Sequence, residues 1–188
     1  MRKGVAVVVN RFMYKDDQNP FEVLGIETTF DVDLSTLDEA YFARQTLAHP
    51  DRFVYHSEPE RQAASAQSSS LNRAYEILKN PTLRAKALLK LRGIDVGGED
   101  GKSVQDTQIL EEMMDLQEAV INAISPHEVS LVSDQIQERL TQVTTSFGEA
   151  LQKDQIQELS GLFLRLTYLS KLMGEIKTRQ QQSSLKVL

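Results

Sequence analysis

The chain has 188 residues, of which 40% are hydrophobic and none is cysteine. This length supports one or two small domains, and the lack of cysteine excludes disulfides, thiolate catalysis and sulfur-ligated metal centres. Residues 1–93 carry a net charge of +1 and residues 94–188 a net charge of −7. Because no basic stripe with interleaved aromatic residues accompanies this acidic balance, nucleic-acid binding is disfavoured.

Residues 1–18 predict a short N-terminal arm. The longest apolar run of the chain, at 5–9, is far shorter than the ~18 residues that a membrane-spanning helix needs. It is also too short for the hydrophobic part of a secretion signal. We therefore expect a soluble protein without a membrane partner.

The first two helices are predicted from cap and turn residues. Asn19 and Pro20 open a short helix that Gly25 ends. A second helix is predicted over 35–48, because its apolar residues recur at near-helical spacing and Pro50 disfavours helical geometry at the residue before it. These apolar residues are Leu37, Tyr41 and Leu47.

The tripeptide HPD at 49–51 follows the second helix, and we predict that it lies in a loop. A Ser-x-x-Glu capping box at 57–60 starts a third helix that runs to Lys79. A fourth helix is predicted to end at Gly93. Its apolar residues are Leu83, Ala87, Leu88 and Leu91. The first half therefore predicts two antiparallel helices joined by an exposed loop.

The second half predicts three long helices after a glycine-containing linker at 94–104. Helical patterns cover 106–124, then begin again at a capping box at 125–128, and begin a third time after a break at 153–154. Three helices of similar length predict an antiparallel bundle. The predicted core positions of the last two helices are Val129, Val132, Ile136, Leu140, Val143, Phe147, Ile156, Leu159, Leu162, Phe163, Leu166, Leu169, Met173 and Ile176.

The helix over 106–124 has more apolar residues than one core face needs. Its core face is formed by Ile109, Met113, Leu116 and Val120. A second stripe, here called the apolar strip, consists of Leu110, Met114 and Ile121 and is bordered by Glu111, Asp115 and Glu118. Exposed apolar surface of this kind is typical of a protein-binding site. The alternative, a central helix that buries a wider arc, fits the residues alone slightly better.

A series of short segments runs through the chain in a fixed order. They are NPFEVLGI at 19–26, YF at 41–42, HPDRF at 49–53, LNRAY at 71–75, KNPTLRA at 79–85 and DT at 106–107. Together these segments resemble the HscB-type family of J-domain co-chaperones over about residues 19 to 178. The resemblance implies an all-α protein with a J-domain at 19–93, a linker at 94–104, a three-helix scaffold-binding domain at 105–180 and a tail at 181–188.

The resemblance implies a co-chaperone of iron–sulfur cluster biogenesis, and not an enzyme. Its first partner would be a DnaK-like ATPase of the HscA type, bound by His49, Pro50, Asp51, Arg44 and Arg52. Its second partner would be an IscU-type scaffold, bound by Leu110, Met114, Asp115, Glu118 and Tyr168. No metal or cofactor is expected. A bacterial cytoplasm is the expected location, with a mitochondrial matrix as the alternative.

The sequence departs from the family pattern in both halves. Thr46 and Leu47 stand where basic residues often occur, and Ala48 replaces a bulky residue before the histidine. Glu111 and Asn122 stand where the family has a methionine and an acid. These departures predict weaker and less salt-sensitive attraction to an acidic groove on the ATPase, and a less apolar scaffold-binding patch.

Three other interpretations of the His-Pro-Asp tripeptide remain open. In the first interpretation, the chain is a general J-protein that delivers unfolded clients. Such J-proteins carry a Gly/Phe-rich linker and a client-binding β-domain, which this sequence does not contain. In the second interpretation, the tripeptide occurs by chance in a helical adaptor with a purely structural role. Or His49 and Asp51 belong to a metal site, although neither His56 nor His127 has ligand spacing to His49 on one helix face.

Overall fold

The computed structural model describes residues 18–96 and 107–185. Within these ranges it contains seven α-helices, one 3-10 turn and no β-strand, which confirms the predicted all-α fold class. Two compact units divide the chain between Leu91 and Arg92. Most of the predicted arm at 1–18 and of the predicted linker at 94–104 lies outside the described residues.

The first unit contains four helices. They are α1, Pro20–Leu24; α2, Leu34–Ala48; α3, Glu58–Lys79; and α4, Pro81–Leu91. A 3-10 turn, η1, spans Pro50–Phe53 and joins α2 to α3. The second helix begins one residue before the predicted Ser35, because the Asp33 carboxylate accepts a hydrogen bond from the Thr36 amide at 2.8 Å.

Helices α2 and α3 form an antiparallel hairpin that is joined mainly by polar side chains. Three hydrogen bonds cross it: Tyr75 to Asp38 at 2.7 Å, Tyr41 to Asn72 at 2.9 Å and Gln45 to Ser68 at 2.7 Å. The rings of Tyr41 and Tyr75 also stack, with centroids 4.4 Å apart. Such bonds fix the register of two helices, because an axial slip breaks all of them together.

The buried face of α4 differs from the predicted one. Leu88 is buried as expected, but Leu83 and Leu91 are 43% and 46% exposed, and they line an open groove instead. The buried residues of α4 are Arg84, Ala85, Leu88 and Leu89. Arg84 takes an interior position, so the buried face includes residues that the apolar pattern did not mark.

Arg84 is only 7% exposed and joins three elements of the first unit. Its Nη1 donates to the carbonyl of Leu78 in the last turn of α3 at 2.6 Å, and its guanidinium lies 5.1 Å from the ring centroid of Phe30, between α1 and α2. A cation near a helix C-terminus also stabilises the helix dipole.

We expect Arg84→Met to destabilise the first unit by about 2 kcal/mol. Methionine fills much of the same volume, so the loss of stability measures the contribution of the charged hydrogen bond and the cation–π contact. Urea unfolding followed by circular dichroism measures it, and Lys86→Met, at an exposed position of the same helix, is the matched control. Equal stability of the two variants would contradict the role of Arg84.

The second unit is a bundle of three helices. They are α5, Thr107–Asn122; α6, Pro126–Gln152; and α7, Ile156–Leu185. At the start of α6, the Ser125 hydroxyl accepts from the Glu128 amide and the Glu128 carboxylate accepts from the Ser125 amide, as the capping box predicted. The last helix continues to Leu185, beyond the predicted start of the tail at 181.

The core of the bundle largely follows the predicted positions. All four predicted core residues of α5 are buried. Leu116 and Val120 of α5 share one cluster with Ile136 of α6 and with Leu169, Leu172, Met173 and Ile176 of α7. Four further predicted positions, Val129, Val132, Leu140 and Val143, pack partly buried against this cluster. Ile156 does not belong to the core, since it is 51% exposed at the first position of α7.

Candidate functional site

The predicted His-Pro-Asp loop is a single 3-10 turn at the end of α2. His49 lies between the two elements with extended backbone, and its carbonyl accepts from the Arg52 amide at 3.0 Å. The proline is the first residue of the turn, where its fixed φ is favourable and its missing N–H costs nothing. The turn therefore has a defined backbone shape.

The side chains of His49 and Asp51 are exposed by 52% and 86%. The Nδ1 atom of His49 accepts from the Asp51 amide at 3.3 Å and lies 3.6 Å from the Asp51 carboxylate. With Nδ1 accepting, the ring carries its proton on Nε2, which is then a donor for another molecule. This end of the hairpin thus offers one N–H donor and one carboxylate acceptor.

Arg44 lies on the side of α2 that packs toward α1. Its guanidinium approaches Gly25 so closely that a Cβ atom at Gly25 would come within 1.9 Å of Arg44 Nη2. Gly25 also has a φ of 60°, so it is required both for the backbone turn and for this contact. The structure gives Arg44 a packing role away from the His-Pro-Asp turn.

Arg52 folds back onto the helix that precedes it. Its Nη1 donates to the Thr46 carbonyl in the last turn of α2 at 3.2 Å. This bond uses one of the carbonyls that a helix C-terminus leaves without an intrahelical partner. Arg52 therefore ties η1 to α2, and it remains exposed to solvent next to the turn.

The apolar strip on α5 faces outward from the bundle. Leu110, Met114 and Ile121 are 51%, 70% and 58% exposed, and the neighbouring acids Asp115 and Glu118 are exposed as well. The alternative in which α5 buries a wider arc is therefore wrong. The helix presents apolar side chains with a rim of negative charge.

On the opposite face of α5, Glu112 links this helix to both of the other helices of the bundle. The two carboxylate oxygens of Glu112 accept from Arg139 of α6 at 2.9 Å and from Arg165 of α7 at 3.1 Å. At 100° per residue, Glu112 lies about 200° around the helix from Met114. This contact and the four buried core residues of α5 together turn the apolar strip outward.

Tyr168 comes from α7 and is only partly exposed. Its ring packs against the core cluster that contains Leu116 and Val120 of α5. The structure thus places four of the five predicted scaffold-binding residues on α5, and holds Tyr168 at the neighbouring core. Ile124, 89% exposed just beyond α5, adds apolar surface that the predicted set lacked.

Comparison with known proteins shows to which family this arrangement belongs. The family model described as "HSCB C-terminal oligomerisation domain" matches residues 105–177. A co-chaperone HscB homolog from Psychromonas ingrahamii is 30% identical over 161 residues, which cover 84% of this chain and 94% of that protein. The chain belongs to the HscB family of co-chaperones.

Two further HscB proteins extend this similarity. An iron–sulfur cluster co-chaperone HscB homolog from Arabidopsis thaliana is 30% identical over 161 residues, and the alignment spans 86% of this chain but 63% of that protein's length. The crystal structure of the human co-chaperone HscB superposes with a TM-score of 0.82 at 26% identity, covering 89% of this chain and 84% of the human one. The HscB fold thus extends through both units.

Sequence reasoning missed the residues that set the geometry of this HscB chain. Glu112, Arg139 and Arg165 were not singled out, because 27 and 53 residues separate the carboxylate from its two partners. The contact of Arg44 with Gly25 has no local sequence signal either. In the described ranges, no helix is long and apolar enough to cross a membrane, and no group of three or more His, Cys, Asp or Glu side chains is arranged to hold a metal.

The start of α3, next to the His-Pro-Asp turn, is expected to depend on pH. Hydrogen bonds from the Ser57 hydroxyl and amide lower the pKa of Glu60 below its usual value. The stabilisation is therefore complete above the ordinary glutamate pKa and is lost as the pH falls through the lowered pKa of the folded state. Amide hydrogen exchange in the first turn of α3 should accelerate relative to the helix interior in that window. Glu60→Gln should remove this pH dependence, and an unchanged profile would contradict it.

Proposed function

We propose that this protein is a J-domain co-chaperone that stimulates the ATPase of an HscA-type chaperone and brings it an IscU-type iron–sulfur scaffold. One observation carries the proposal: a single HscB-family chain presents both an ordered, exposed His-Pro-Asp turn and an outward-facing apolar strip with an acidic rim. The name of the Arabidopsis relative, an iron–sulfur cluster co-chaperone, supports the same process.

We assign the first activity, activation of the chaperone ATPase, to residues 19–93. His49 Nε2–H and the Asp51 carboxylate supply one donor and one acceptor, and Pro50 restricts the backbone between them. The short turn pre-organises these groups, so little conformational entropy is lost when the ATPase binds. Arg52 supports the turn through its bond to α2, and Arg44 acts indirectly by packing α2 against α1.

We assign the second activity, binding of the iron–sulfur scaffold, to residues 105–180. Leu110 and Met114 supply the apolar centre of the contact, Asp115 and Glu118 its charged rim, and Tyr168 an aromatic group. Interfaces commonly have such an apolar centre with a polar rim. The acids favour a scaffold surface that carries positive charge.

The proposal requires no catalytic group in this chain. ATP is hydrolysed by the partner, and the His-Pro-Asp turn favours the conformation in which the partner hydrolyses it. We place this activity in a bacterial cytoplasm, a reducing compartment that suits a chain without cysteine.

Calorimetric titration of this protein with a purified IscU-type scaffold tests the scaffold half of the proposal. We expect one-to-one binding that weakens modestly with salt, since apolar contacts supply most of the affinity and the acids adjust it. A general J-protein would instead bind a denatured model client and ignore the folded scaffold. That result would replace this proposal with the general J-protein alternative.

A further inference from the structure

The face of α2 that points away from α3 has an unusual composition for a docking helix. At 100° per residue, an arc opposite the buried Leu37 and Ala48 contains seven residues, and all seven are exposed. They are Ser35, Thr36, Glu39, Phe42, Ala43, Thr46 and Leu47. This arc carries one acid and no lysine or arginine.

The two arginines closest to this face are engaged elsewhere. Arg44 packs over Gly25 on the α1 side of the helix, and Arg52 donates to the Thr46 carbonyl at the end of α2. In the first turn of α3, Arg61 pairs with Glu58. The outer face of α2 itself carries no positive side chain to match an acidic groove, and Arg52, which keeps its charge, lies beyond His49 in η1.

Large apolar side chains occupy this surface instead. Phe42 and Leu47, on α2, are 62% and 65% exposed, and Val54 and Tyr55, just after η1, are 54% and 99% exposed. These four residues flank His49 on both sides of the chain, and the bond from Arg52 to Thr46 holds η1 against the last turn of α2. Exposed aromatic and large apolar residues of this kind are typical anchors of protein interfaces.

We infer that the surface of the ATPase chaperone that receives α2 is apolar and carries no strong negative charge. The inference rests on the proposed function, in which the His-Pro-Asp turn meets the ATPase, because Phe42 and Leu47 lie within two helical turns of His49. Docking is then driven by burial of apolar side chains, of which the exposed part of Phe42 and nearly all of Tyr55 are available to the partner. A chaperone with an acidic groove finds no complementary charge on the outer face of α2.

Salt dependence separates an apolar contact from a charge-steered one. We expect the protein concentration that gives half-maximal ATPase stimulation to change less than about twofold when salt rises from about 50 mM to about 500 mM. The test uses the purified HscA-type ATPase from the same organism. A rise of about tenfold or more would overturn the inference, because screening weakens charge pairs far more than apolar burial.

Single substitutions locate the contact. We expect Phe42→Ala and Leu47→Ala each to raise the half-maximal concentration about tenfold, the size typical of an interface anchor. Leu34→Ala is the matched control, since Leu34 is also an exposed leucine of α2 but lies at its other end. Thr46→Lys adds a positive charge to the outer face of α2, and it is expected to leave the half-maximal concentration unchanged. A lower half-maximal concentration for Thr46→Lys would point to an acidic partner surface and overturn the inference.

The outcomes separate this inference from the proposed function. If His49→Gln abolishes stimulation while Phe42→Ala and Leu47→Ala act like the unaltered protein, the function stands and the apolar docking face is refuted. If stimulation survives His49→Gln, the proposed function itself fails. Sedimentation of the chain alone provides the last check. A dimer that Phe42→Ala dissociates would mean that a second copy occupies this face, which also overturns the inference.

Discussion

Replacing His49 with glutamine is expected to lower stimulation of an HscA-type ATPase about 100-fold. Glutamine keeps an N–H donor but places it on a flexible chain, and misplacing a group by about 1 Å can cost this factor. The His49 side chain is half exposed, and its hydrogen-bond partner in the described part of the chain is the neighbouring Asp51, so the fold should not change. Single-turnover ATP hydrolysis measures the effect.

His127→Gln is the matched control for this substitution. His127 is also exposed and lies in the first turn of α6, in the other unit. It should stimulate as well as the unaltered protein, and both variants should keep the same helical content and scaffold affinity. Full stimulation by His49→Gln would refute the assignment of the turn to chaperone activation.

The double substitution Leu110→Ala with Met114→Ala is expected to weaken scaffold binding by about 3 kcal/mol, or about 100-fold in Kd. Both side chains protrude from α5 and are 51% and 70% exposed, so truncation removes contact area without leaving a cavity in the bundle. Calorimetry gives the Kd, and thermal unfolding should show nearly unchanged stability.

A second double substitution controls for the general loss of exposed apolar surface. Leu131 on α6 and Ile156 on α7 are 57% and 51% exposed, so Leu131→Ala with Ile156→Ala removes a similar amount of surface outside the apolar strip. Scaffold affinity should stay within about twofold of the unaltered protein, as expected outside an interface. Equal losses in the two double variants would show that the strip is not the binding surface.

Helix boundaries were predicted best where the signal is local. Asn19 and Gly25 bound α1 as expected, and Ser125 with Glu128 starts α6 through the predicted hydrogen bonds. Helix caps depend on residues within one turn of each other, so they can be identified from the sequence alone. The start of α2 was missed by one residue because Asp33 and Ser35 are both acceptable caps, and only the structure shows which one bonds.

Buried faces were harder to predict where polar residues take part in packing. The α2–α3 hairpin buries few apolar side chains of α2: of the three apolar residues whose spacing predicted this helix, Leu37 is buried and Leu47 is 65% exposed. In α4, Arg84 takes an interior position because Leu78 and Phe30 supply its partners. No periodicity of apolar residues reports an arrangement of this kind.

The candidate site was predicted as a set of residues, but its supports were not. The sequence displays two apolar stripes on one helix, but the residues alone slightly favoured burying both, and the resemblance to the HscB-type family is what implied a binding role for Leu110 and Met114. Besides the buried core face of α5, that orientation is supported by the contact of Glu112 with Arg139 and Arg165, which are distant in sequence. Long-range pairs of surface charges have no spacing rule, so only a structure reveals them.

Single-turnover ATP hydrolysis by an HscA-type chaperone, with this protein and an IscU-type scaffold added separately and together, tests the central claim most directly. The proposed function predicts that this protein accelerates hydrolysis alone and that the scaffold raises the rate further, beyond the sum of the separate effects. No acceleration under any combination would contradict chaperone activation. Acceleration that the scaffold leaves unchanged would contradict its delivery.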